Sequence, residues 1–228
     1  MRESMIQLKK LVIIGGSGFL GQVICQTALT ENWTIVSISK HGRPPSNKLL
    51  KSLRDAPIEW VQADIFTSQD WQAHLLHAFA IIDLVGIIKE RPKEGITYQK
   101  MIADSAKIIG TVASDNDRLQ HFIFLSANAG PTKYIEAKRQ AEQSLISMPL
   151  PLTIIRPGLI VGAGRPSSIR AKWALEFLLK IPLLSVFVTQ IKPISVDTIA
   201  KKILAILLSP EPLTTRVLAV DDLDNLAD

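Results

Sequence analysis

The sequence predicts an α/β fold, a doubly wound parallel sheet of the Rossmann type with a small C-terminal cap. Short apolar runs alternate with longer segments of helical periodicity, which is the pattern of buried parallel strands joined by crossover helices. A glycine-rich turn at residues 15–21 directly follows the first of these runs. Because the strand–helix alternation fades after residue 158, we predict one domain with a core over residues 1–158 and a cap over residues 159–228.

Composition places the chain among ordinary globular proteins and excludes several classes of function. Hydrophobic residues make up 47% of the 228 residues and charged residues 21%, so there is enough apolar material for a core. The 26 basic residues are dispersed despite a net charge of +5, which argues against a nucleic-acid partner. The single Cys25 excludes an internal disulfide and suits a reducing compartment.

Neither metal binding nor membrane insertion is indicated by the sequence. The four histidines lack the spacing of metal ligands. No signal peptide is visible, and no apolar stretch reaches the roughly 18 residues of a membrane span. We therefore predict a cytoplasmic protein with no metal and no transmembrane segment.

The first strand and the turn after it form the predicted phosphate-binding site. Residues 11–14 are an apolar run that suits a buried parallel strand, and the glycines that follow satisfy both G-x-G-x-x-G and G-x-x-G-x-x-G. Glycine permits a tight turn, close approach of backbone to a pyrophosphate and close helix–strand packing, while the helix start offers free N–H groups. The simpler interpretation is a glycine turn without a ligand, but the context favours dinucleotide binding. The residues expected to bind are Gly15, Gly16, Ser17, Gly18, Phe19, Leu20 and Gly21.

The end of the second strand, predicted over residues 34–38, bears on the choice of cofactor. An NAD-specific site usually places Asp or Glu here to bind the ribose 2′-hydroxyl. This chain has Ser39, Lys40 and Arg43 instead, with no carboxylate through residue 43. Lys40 and Arg43 would attract a 2′-phosphate, so we predict NADP in preference to NAD. The simpler interpretation is a solvated basic loop.

The third strand is predicted over residues 58–62, after a short polar helix over residues 48–55. Asp64 follows the strand directly. An aspartate at this position either meets the adenine edge of a dinucleotide or caps a helix, and a helix is predicted over residues 68–79.

The fourth strand is predicted over residues 80–86, where Gly86 allows backbone to lie close to the cofactor. A helix over residues 96–115 connects it to a fifth strand over residues 121–126. Since ligands of such sheets sit at the carboxyl ends of the strands, the end of the fifth strand is expected to face the site.

A Tyr-x-x-x-Lys motif follows the fifth strand. Ser126 ends that strand, and Tyr134 and Lys138 lie four residues apart in the next helix, which puts both side chains on one face. An ammonium near a phenol favours the ionised phenol, so Tyr134 is the predicted general acid or base. Ser126 is predicted to hold the substrate oxygen.

The last third of the chain carries a sixth strand, over residues 152–158, and the predicted cap. Residues 163–168 are expected to form a loop over the cofactor, and residues 169–181 a helix. The nearly continuous apolar stretch 173–188 favours a core or homodimer helix. The alternative for this stretch is a groove for a lipophilic substrate or a peripheral contact with a membrane surface.

The C-terminal segment is predicted to return to regular structure before it ends. Asp197 is expected to begin an amphipathic helix over residues 196–208, followed by a last strand over residues 216–220. The acidic tail, residues 221–228, is expected to fray.

Together these motifs resemble the short-chain dehydrogenase/reductase superfamily, specifically its atypical, epimerase/dehydratase-like members with a G-x-x-G-F-L-G turn. The chain is most similar to the branch that holds the mitochondrial reductase-like protein of coenzyme Q biosynthesis and an accessory subunit of respiratory NADH dehydrogenase. The resemblance covers roughly residues 10–205. The positions that carry it are residues 15–21, Ala63, Asp64, Ile65, Val85, Gly86, Ser126, Tyr134, Lys138, Arg156, Pro157, Gly158 and residues 193–197.

The resemblance implies that Tyr134 and Lys138 perform proton transfer, that Lys138 also binds the nicotinamide ribose, and that Ser126 orients the substrate. It further implies contacts with the cofactor at Ile65, Val85 and Pro157. We therefore expect an NAD(P)-dependent oxidoreductase or epimerase-like enzyme that transfers hydride between nicotinamide and a carbonyl or alcohol carbon of a small molecule. The alternative is a non-catalytic dinucleotide-binding protein that senses redox state or supports an assembly. It stays open because Ser126 and Tyr134 lie closer in sequence than in most catalytic members.

Overall fold

The structure is a computed structural model that describes residues 9–162, 192–209 and 215–225. Its strands are β1 Lys10–Ile14, β2 Thr34–Ser39, β3 Ile58–Gln62, β4 Ala80–Asp83, β5 His121–Leu125, β6 Leu152–Ile155, β7 Ile160–Val161, β8 Ile194–Ser195 and β9 Arg216–Leu218. Its α-helices are α1 Phe19–Thr30, α2 Gln72–Leu76, α3 Ser105–Ser114, α4 Thr132–Ile146, α5 Val196–Leu208 and α6 Val220–Asn225.

Seven parallel strands form the main sheet in the spatial order β3-β2-β1-β4-β5-β6-β9. The chain runs outward from β1 to β3 and then crosses to β4, so the strand order reverses between β1 and β4. Ile14 pairs with Ile38 on one side and with Asp83 on the other, which brings the carboxyl ends of these three strands to one level. The predicted doubly wound parallel sheet is confirmed. Its switch point, where the strand order reverses between β1 and β4, lies next to the glycine turn that follows β1.

Alternating residues of the buried strands supply the two halves of the core. Leu11 and Ile13 of β1 pack in the layer that contains α1 and α5. Val12 and Ile14 point to the opposite layer, where α2, α3 and α4 pack. Because both faces of the sheet are covered, the central strands are apolar without interruption, as the sequence indicated.

Two of the predicted helices are shorter than expected. The helix predicted over residues 68–79 is reduced to α2, and it is preceded by a turn in which the fully buried Trp71 donates its indole N–H to the Ser68 carbonyl. The helix predicted over residues 48–55 is a single 3₁₀ turn at Lys51–Leu53. The helix predicted over residues 96–115 begins instead as a π-helix, Gln99–Asp104, which continues directly into α3.

The C-terminal segment joins the core. Helix α5 packs against α1, and the Ser195 hydroxyl caps it by accepting a hydrogen bond from the Thr198 N–H. Strand β9 adds the seventh strand beside β6. The expectation of a frayed tail over residues 221–228 is wrong for residues 221–225, since Val220–Asn225 is the helix α6, in which Leu223 is buried, and the strand predicted over residues 216–220 ends at Leu218. The division into a core over residues 1–158 and a cap over residues 159–228 stays a prediction.

Several predictions for the last third fall on residues 163–191, outside the described part of the chain. These are the loop over the cofactor, the helix over residues 169–181, and the apolar stretch 173–188 with its homodimer or membrane contact. Within the described ranges, no helix is both long and apolar enough to cross a membrane.

Cys25 lies in α1, in the layer between the sheet and α5, and its side chain is fully buried. Burial raises the pKa of its thiol to about 12. Cys25 therefore acts as a small apolar core residue.

Candidate functional site

The four glycines of the turn are required for different reasons. Gly15 has a φ of +89°, a conformation that side chains rarely adopt, and its N–H donates to the Ile38 carbonyl at 2.8 Å. A Cβ on Gly16 would lie 2.4 Å from the Ser37 Oγ, and one on Gly21 would lie 2.5 Å from the Gly16 Cα. These three glycines thus serve the turn and its packing.

Gly18 differs from the other three because a side chain there would have one close neighbour and would otherwise face the cavity. A Cβ there would meet the Gly15 carbonyl oxygen at 3.1 Å, with no further close neighbour. Gly18 is exposed and is the N-cap residue of α1, with no side-chain cap over the first N–H groups of that helix. An exposed glycine at an uncapped helix start fits a bound pyrophosphate, since backbone and phosphate approach each other closely there.

A cavity of about 340 Å³ lies at the carboxyl ends of β1, β2, β3 and β4, over the switch point. Most of the predicted cofactor-binding residues line it: Gly15, Ser17, Gly18, Ser39, Lys40, Asp64, Ile65, Val85 and Gly86. Other predicted residues lie outside its lining. Phe19, Leu20, Gly16 and Gly21 pack around the turn, and Pro157 is buried after β6, where its carbonyl accepts the Asn128 N–H.

One wall of the cavity was not anticipated. Residues 94–96, Lys100 and Met101 line it from the connection between β4 and α3. This connection folds back through an antiparallel bridge between Arg91 and Ile96, with Gly95 at a φ of +68°. The sequence could have indicated this wall, because the segment follows β4, the strand at which the sheet order reverses, and ligands bind at such a reversal.

The residues at the ends of β2 and β3 meet at one end of the cavity. The Ser39 hydroxyl accepts a hydrogen bond from the Ser17 N–H at 3.2 Å, which ties the end of β2 to the glycine turn. Lys40 forms an ion pair with Asp64, with Nζ 3.0 Å from Oδ2. The second oxygen of Asp64 accepts the Phe66 N–H at 3.1 Å, so this carboxylate is held at both ends.

The charge on Asp64 follows from these contacts. Partial burial opposes its ionisation, but the Phe66 N–H and the Lys40 ammonium outweigh that effect and lower the pKa of the carboxyl below its usual value. Arg43 does not join the pair. Its exposed guanidinium donates to the Arg54 carbonyl, and Arg43 is not part of the cavity lining.

Tyr134 and Lys138 share one face of α4, as their spacing predicts. The Lys138 Nζ lies 5.9 Å from the centre of the Tyr134 ring and 4.7 Å from that of Phe124. It donates to the Leu125 carbonyl at 2.6 Å. The half-buried Tyr134 ring meets the edge of Tyr98, with 5.4 Å between ring centres. A Cβ on Gly86 would lie 3.9 Å from the Lys138 Nζ, so the cavity ends beside this ammonium.

Asp83, at the end of β4, is a fully buried carboxyl that the sequence did not single out. One of its oxygens accepts the Val85 N–H at 2.8 Å, and the other has no hydrogen-bond partner. Burial raises the pKa of Asp83 to about 6, against the opposing effects of the Val85 N–H and the Lys138 charge. Burial also lowers the pKa of Lys138 to about 8, and Asp83 and Glu142 oppose that shift.

Ser126 is held in a buried ionic network. Its hydroxyl donates to Glu142, a carboxylate that is only 2% exposed. Arg139 donates to the same carboxylate at 2.5 Å, and Arg156 binds it through Nε at 3.0 Å and through a second nitrogen at 2.5 Å. The network joins the ends of β5 and β6 to α4.

The network also determines the charge of Glu142. Desolvation opposes its ionisation, but the hydrogen bonds from Arg156 and Ser126 and the charges of both arginines outweigh it and lower the pKa of the carboxyl. Arg139 also donates to the Ala127 carbonyl at 3.1 Å. The Ser126 hydroxyl is therefore committed to a charged partner, while its predicted role towards substrate stays a prediction.

A parallel sheet of this strand order, with a glycine turn and an open cavity at its switch point, defines the NAD(P)-binding Rossmann class with an epimerase/reductase-like fold. Within this class the chain belongs to the NmrA-like family, whose model matches residues 7–220. The predicted kinship with atypical dehydrogenase/reductase proteins is thereby confirmed.

Curated relatives are distant. MIOREX complex component 2 of Saccharomyces cerevisiae is 27% identical, with 69% of this chain and 75% of that protein covered. Subunit 9 of the NADH dehydrogenase [ubiquinone] 1 alpha subcomplex, mitochondrial, of Arabidopsis thaliana is 24% identical over 86% of this chain. The chain spans about half (49%) of the length of that subunit. A cytoplasmic location for this chain stays a prediction.

Solved structures share the fold at low identity. UDP-glucuronic acid 4-epimerase from Bacillus cereus in complex with NAD aligns with a TM-score of 0.69 at 16% identity, covering 92% of this chain and 77% of that one. Vestitone reductase from alfalfa (Medicago sativa L.) aligns with a TM-score of 0.64 at 17% identity, covering 92% and 76%.

Proposed function

We propose that the chain is an NADP(H)-dependent oxidoreductase that acts on a carbonyl or alcohol group of a small molecule. One observation carries this proposal: a single cavity extends from the exposed Gly18 at the start of α1 to Gly86, beside the buried ammonium of Lys138. The support for the proposal is that the glycine turn lines this cavity together with Gly86, and that a Cβ on Gly86 would lie 3.9 Å from the Lys138 Nζ, although Tyr134 and Lys138 are not themselves in the lining. When bound, a nicotinamide dinucleotide supplies or accepts hydride.

The residues at the phosphate end have the chemistry needed to bind such a cofactor. The first N–H groups of α1 face the space beside Gly18 and are suited to a pyrophosphate. Ser39 fixes the glycine turn relative to β2 through the Ser17 N–H. Lys40 directly follows β2 and is the lysine there that lines the cavity, so it is the proposed partner of a 2′-phosphate.

At the other end, Tyr134 exchanges a proton with the substrate oxygen. The positive charge of Lys138, 5.9 Å from the phenol ring, lowers the free-energy cost of removing the phenolic proton. Reduction of a carbonyl consumes this proton and oxidation of an alcohol returns it. Ser126 is available to a substrate oxygen only when its hydrogen bond to Glu142 opens.

A second candidate function is a non-catalytic dinucleotide-binding protein that supports an assembly or senses redox state. The observation that favours it is the commitment of Ser126 to Glu142, which removes a hydroxyl from the substrate end. The names of two relatives, a complex component and a subunit, describe members of assemblies. Turnover distinguishes the two candidates, because both require the dinucleotide.

Calorimetric titration of the purified chain with NADPH and with NADH tests the proposal. We expect NADPH to bind about tenfold more tightly at low salt, since a partly exposed phosphate–lysine contact contributes roughly 1.4 kcal/mol. The preference should weaken at high salt. Lys40→Ala should remove it, and Arg43→Ala, whose guanidinium binds the Arg54 carbonyl, is the matched control that should retain it. Failure of the wild type to bind either dinucleotide would overturn the proposal.

A further inference from the structure

The ammonium group of Lys40, which a phosphate would bind, is already paired with a carboxylate of the same chain. Its Nζ lies 3.0 Å from Asp64 Oδ2, and both residues line the same cavity at the ends of adjacent strands. The Lys40 side chain is 63% exposed and that of Asp64 29%, so water and ligand have access to the pair. A 2′-phosphate that approaches Lys40 therefore meets a carboxylate already bound to the same ammonium.

The Asp64 carboxylate stays in place and stays charged. Its Oδ1 is fixed by the Phe66 N–H at 3.1 Å, and its pKa is lowered below the usual value. Two further basic side chains line this end of the cavity, His41 and Lys100, and the Lys100 Nζ lies 5.0 Å from the centre of the Phe66 ring. Lys40 is the one that the structure pairs directly with Asp64.

We propose that Asp64 sets the balance between phosphorylated and unphosphorylated dinucleotides by competing with the 2′-phosphate for Lys40. This inference rests on the proposed function, in which the cavity holds a dinucleotide. With NADH the ion pair is undisturbed. With NADPH, Lys40 has to be shared between the carboxylate and a phosphate that carries close to two negative charges. Asp64 thus reduces a preference for NADPH that Lys40 alone would make larger.

Asp64→Asn removes the competing negative charge while it preserves the local structure. Asparagine retains a carbonyl oxygen that can accept the Phe66 N–H, so the turn after β3 keeps its hydrogen bond. Any contact that Asp64 makes with adenine is common to NADH and NADPH, and its loss cancels in the ratio of their dissociation constants. That ratio is therefore the quantity to measure.

The titrations use four forms of the full chain: wild type, Asp64→Asn, Lys40→Ala and the double variant. We expect Asp64→Asn to increase the preference for NADPH about three- to fivefold, the effect of one exposed ion pair. In the Lys40→Ala background the same substitution should leave the preference unchanged. The exposed Asp70→Asn removes the same charge away from the cavity and should also leave it unchanged.

An unchanged or lower preference for NADPH in Asp64→Asn would overturn the inference while leaving dinucleotide binding intact. An equal increase in the Lys40→Ala background would overturn it too, because Asp64 would then repel the phosphate without acting through Lys40. Absence of any dinucleotide binding by the wild type would overturn the proposed function, and the inference with it.

Discussion

The carboxyl of Asp83 and the ammonium of Lys138 lie buried behind the cavity and shift the ionisation of each other. Burial raises the pKa of Asp83 to about 6 and lowers the pKa of Lys138 to about 8, and each charge moderates the shift of the other. Both groups are consequently ionised between about pH 6 and pH 8. The opposite charge of Asp83 helps to keep Lys138 protonated beside Tyr134 at neutral pH.

The raised pKa of Asp83 predicts an unusual pH dependence of stability. Between its ordinary pKa of 3.8 and about 6, the folded chain retains a proton that the unfolded chain loses, so stability falls as the pH rises. Asp83→Asn removes this effect. The free energy of unfolding of Asp83→Asn minus that of the wild type should therefore increase by about 3 kcal/mol as the pH rises from below the ordinary aspartate pKa to about 6.

Urea unfolding at several pH values provides the measurement. Lys138 remains protonated in both folded and unfolded chains below pH 6, so it adds nothing to the difference in this range. Asp70→Asn is the control for loss of one carboxylate at an exposed position. Parallel stability curves for wild type and Asp83→Asn would show that Asp83 ionises normally.

The position of Gly18 in the cavity lining predicts a loss of binding without loss of the fold. Gly18 has φ −76° and ψ 177°, which a valine adopts readily, and the one tight contact of its Cβ, 3.1 Å from the Gly15 carbonyl oxygen, is relieved by a shift of a few tenths of an ångström, so Gly18→Val should fold. Its side chain would occupy the phosphate end of the cavity and should abolish NADPH binding. Gly21→Ala is the contrasting variant, because its Cβ would lie 2.5 Å from the Gly16 Cα and should cost about 1–3 kcal/mol or more in stability.

Calorimetry and thermal melting separate these two outcomes. Wild-type affinity for NADPH in a folded Gly18→Val variant would refute the assignment of the turn to phosphate binding.

The Tyr–Lys pair predicts a selective loss of turnover. Tyr134→Phe removes the proposed proton donor and keeps the ring contact with Tyr98, so dinucleotide affinity should persist while turnover falls by about 10²–10⁴. Tyr98→Phe is matched in chemistry: its hydroxyl donates to the Ile88 carbonyl at 2.8 Å, away from proton transfer. It should lose stability and keep turnover. Equal turnover by wild type and Tyr134→Phe would exclude the phenol as the proton donor.

The network around Glu142 predicts that Ser126 supports the fold. Ser126→Ala removes a hydrogen bond to a buried carboxylate and should lower the free energy of unfolding by roughly 1.5–3 kcal/mol. Glu142→Gln leaves Arg139 and Arg156 without their charged partner and should cost about 3–5 kcal/mol. NADPH affinity should be unchanged in a folded Ser126→Ala variant. A large loss of turnover with no loss of stability would assign Ser126 to the substrate instead.

The sequence predicted those parts of the fold and candidate site that depend on local pattern. The apolar runs marked the strands because both faces of the sheet are buried. The glycine turn was visible because Gly15, Gly16 and Gly21 are required by the backbone conformation and close packing of the turn, and they recur at a fixed spacing. Tyr134 and Lys138 share a face because a helix has a fixed period.

The remainder depends on contacts between residues far apart in the chain. The pairing of Lys40 with Asp64, or of Ser126 with Glu142, requires the register of neighbouring strands and the docking of α4, which no local pattern encodes. Arg43 illustrates the same point, because its guanidinium reaches the Arg54 carbonyl across a loop. Helix ends were least predictable, since tertiary packing around Trp71 overrides helical propensity there.

The burial of Cys25 gives the chain a built-in reporter of global opening. It is the only thiol in the sequence, and it is fully buried in the apolar layer that α1 and α5 share on one face of the sheet. An alkylating reagent reaches the Cys25 thiol only when these elements separate, and the high pKa of the thiol suppresses its reaction in the closed state. The rate of alkylation therefore measures opening of the layer that contains α1 and α5, without any engineered label.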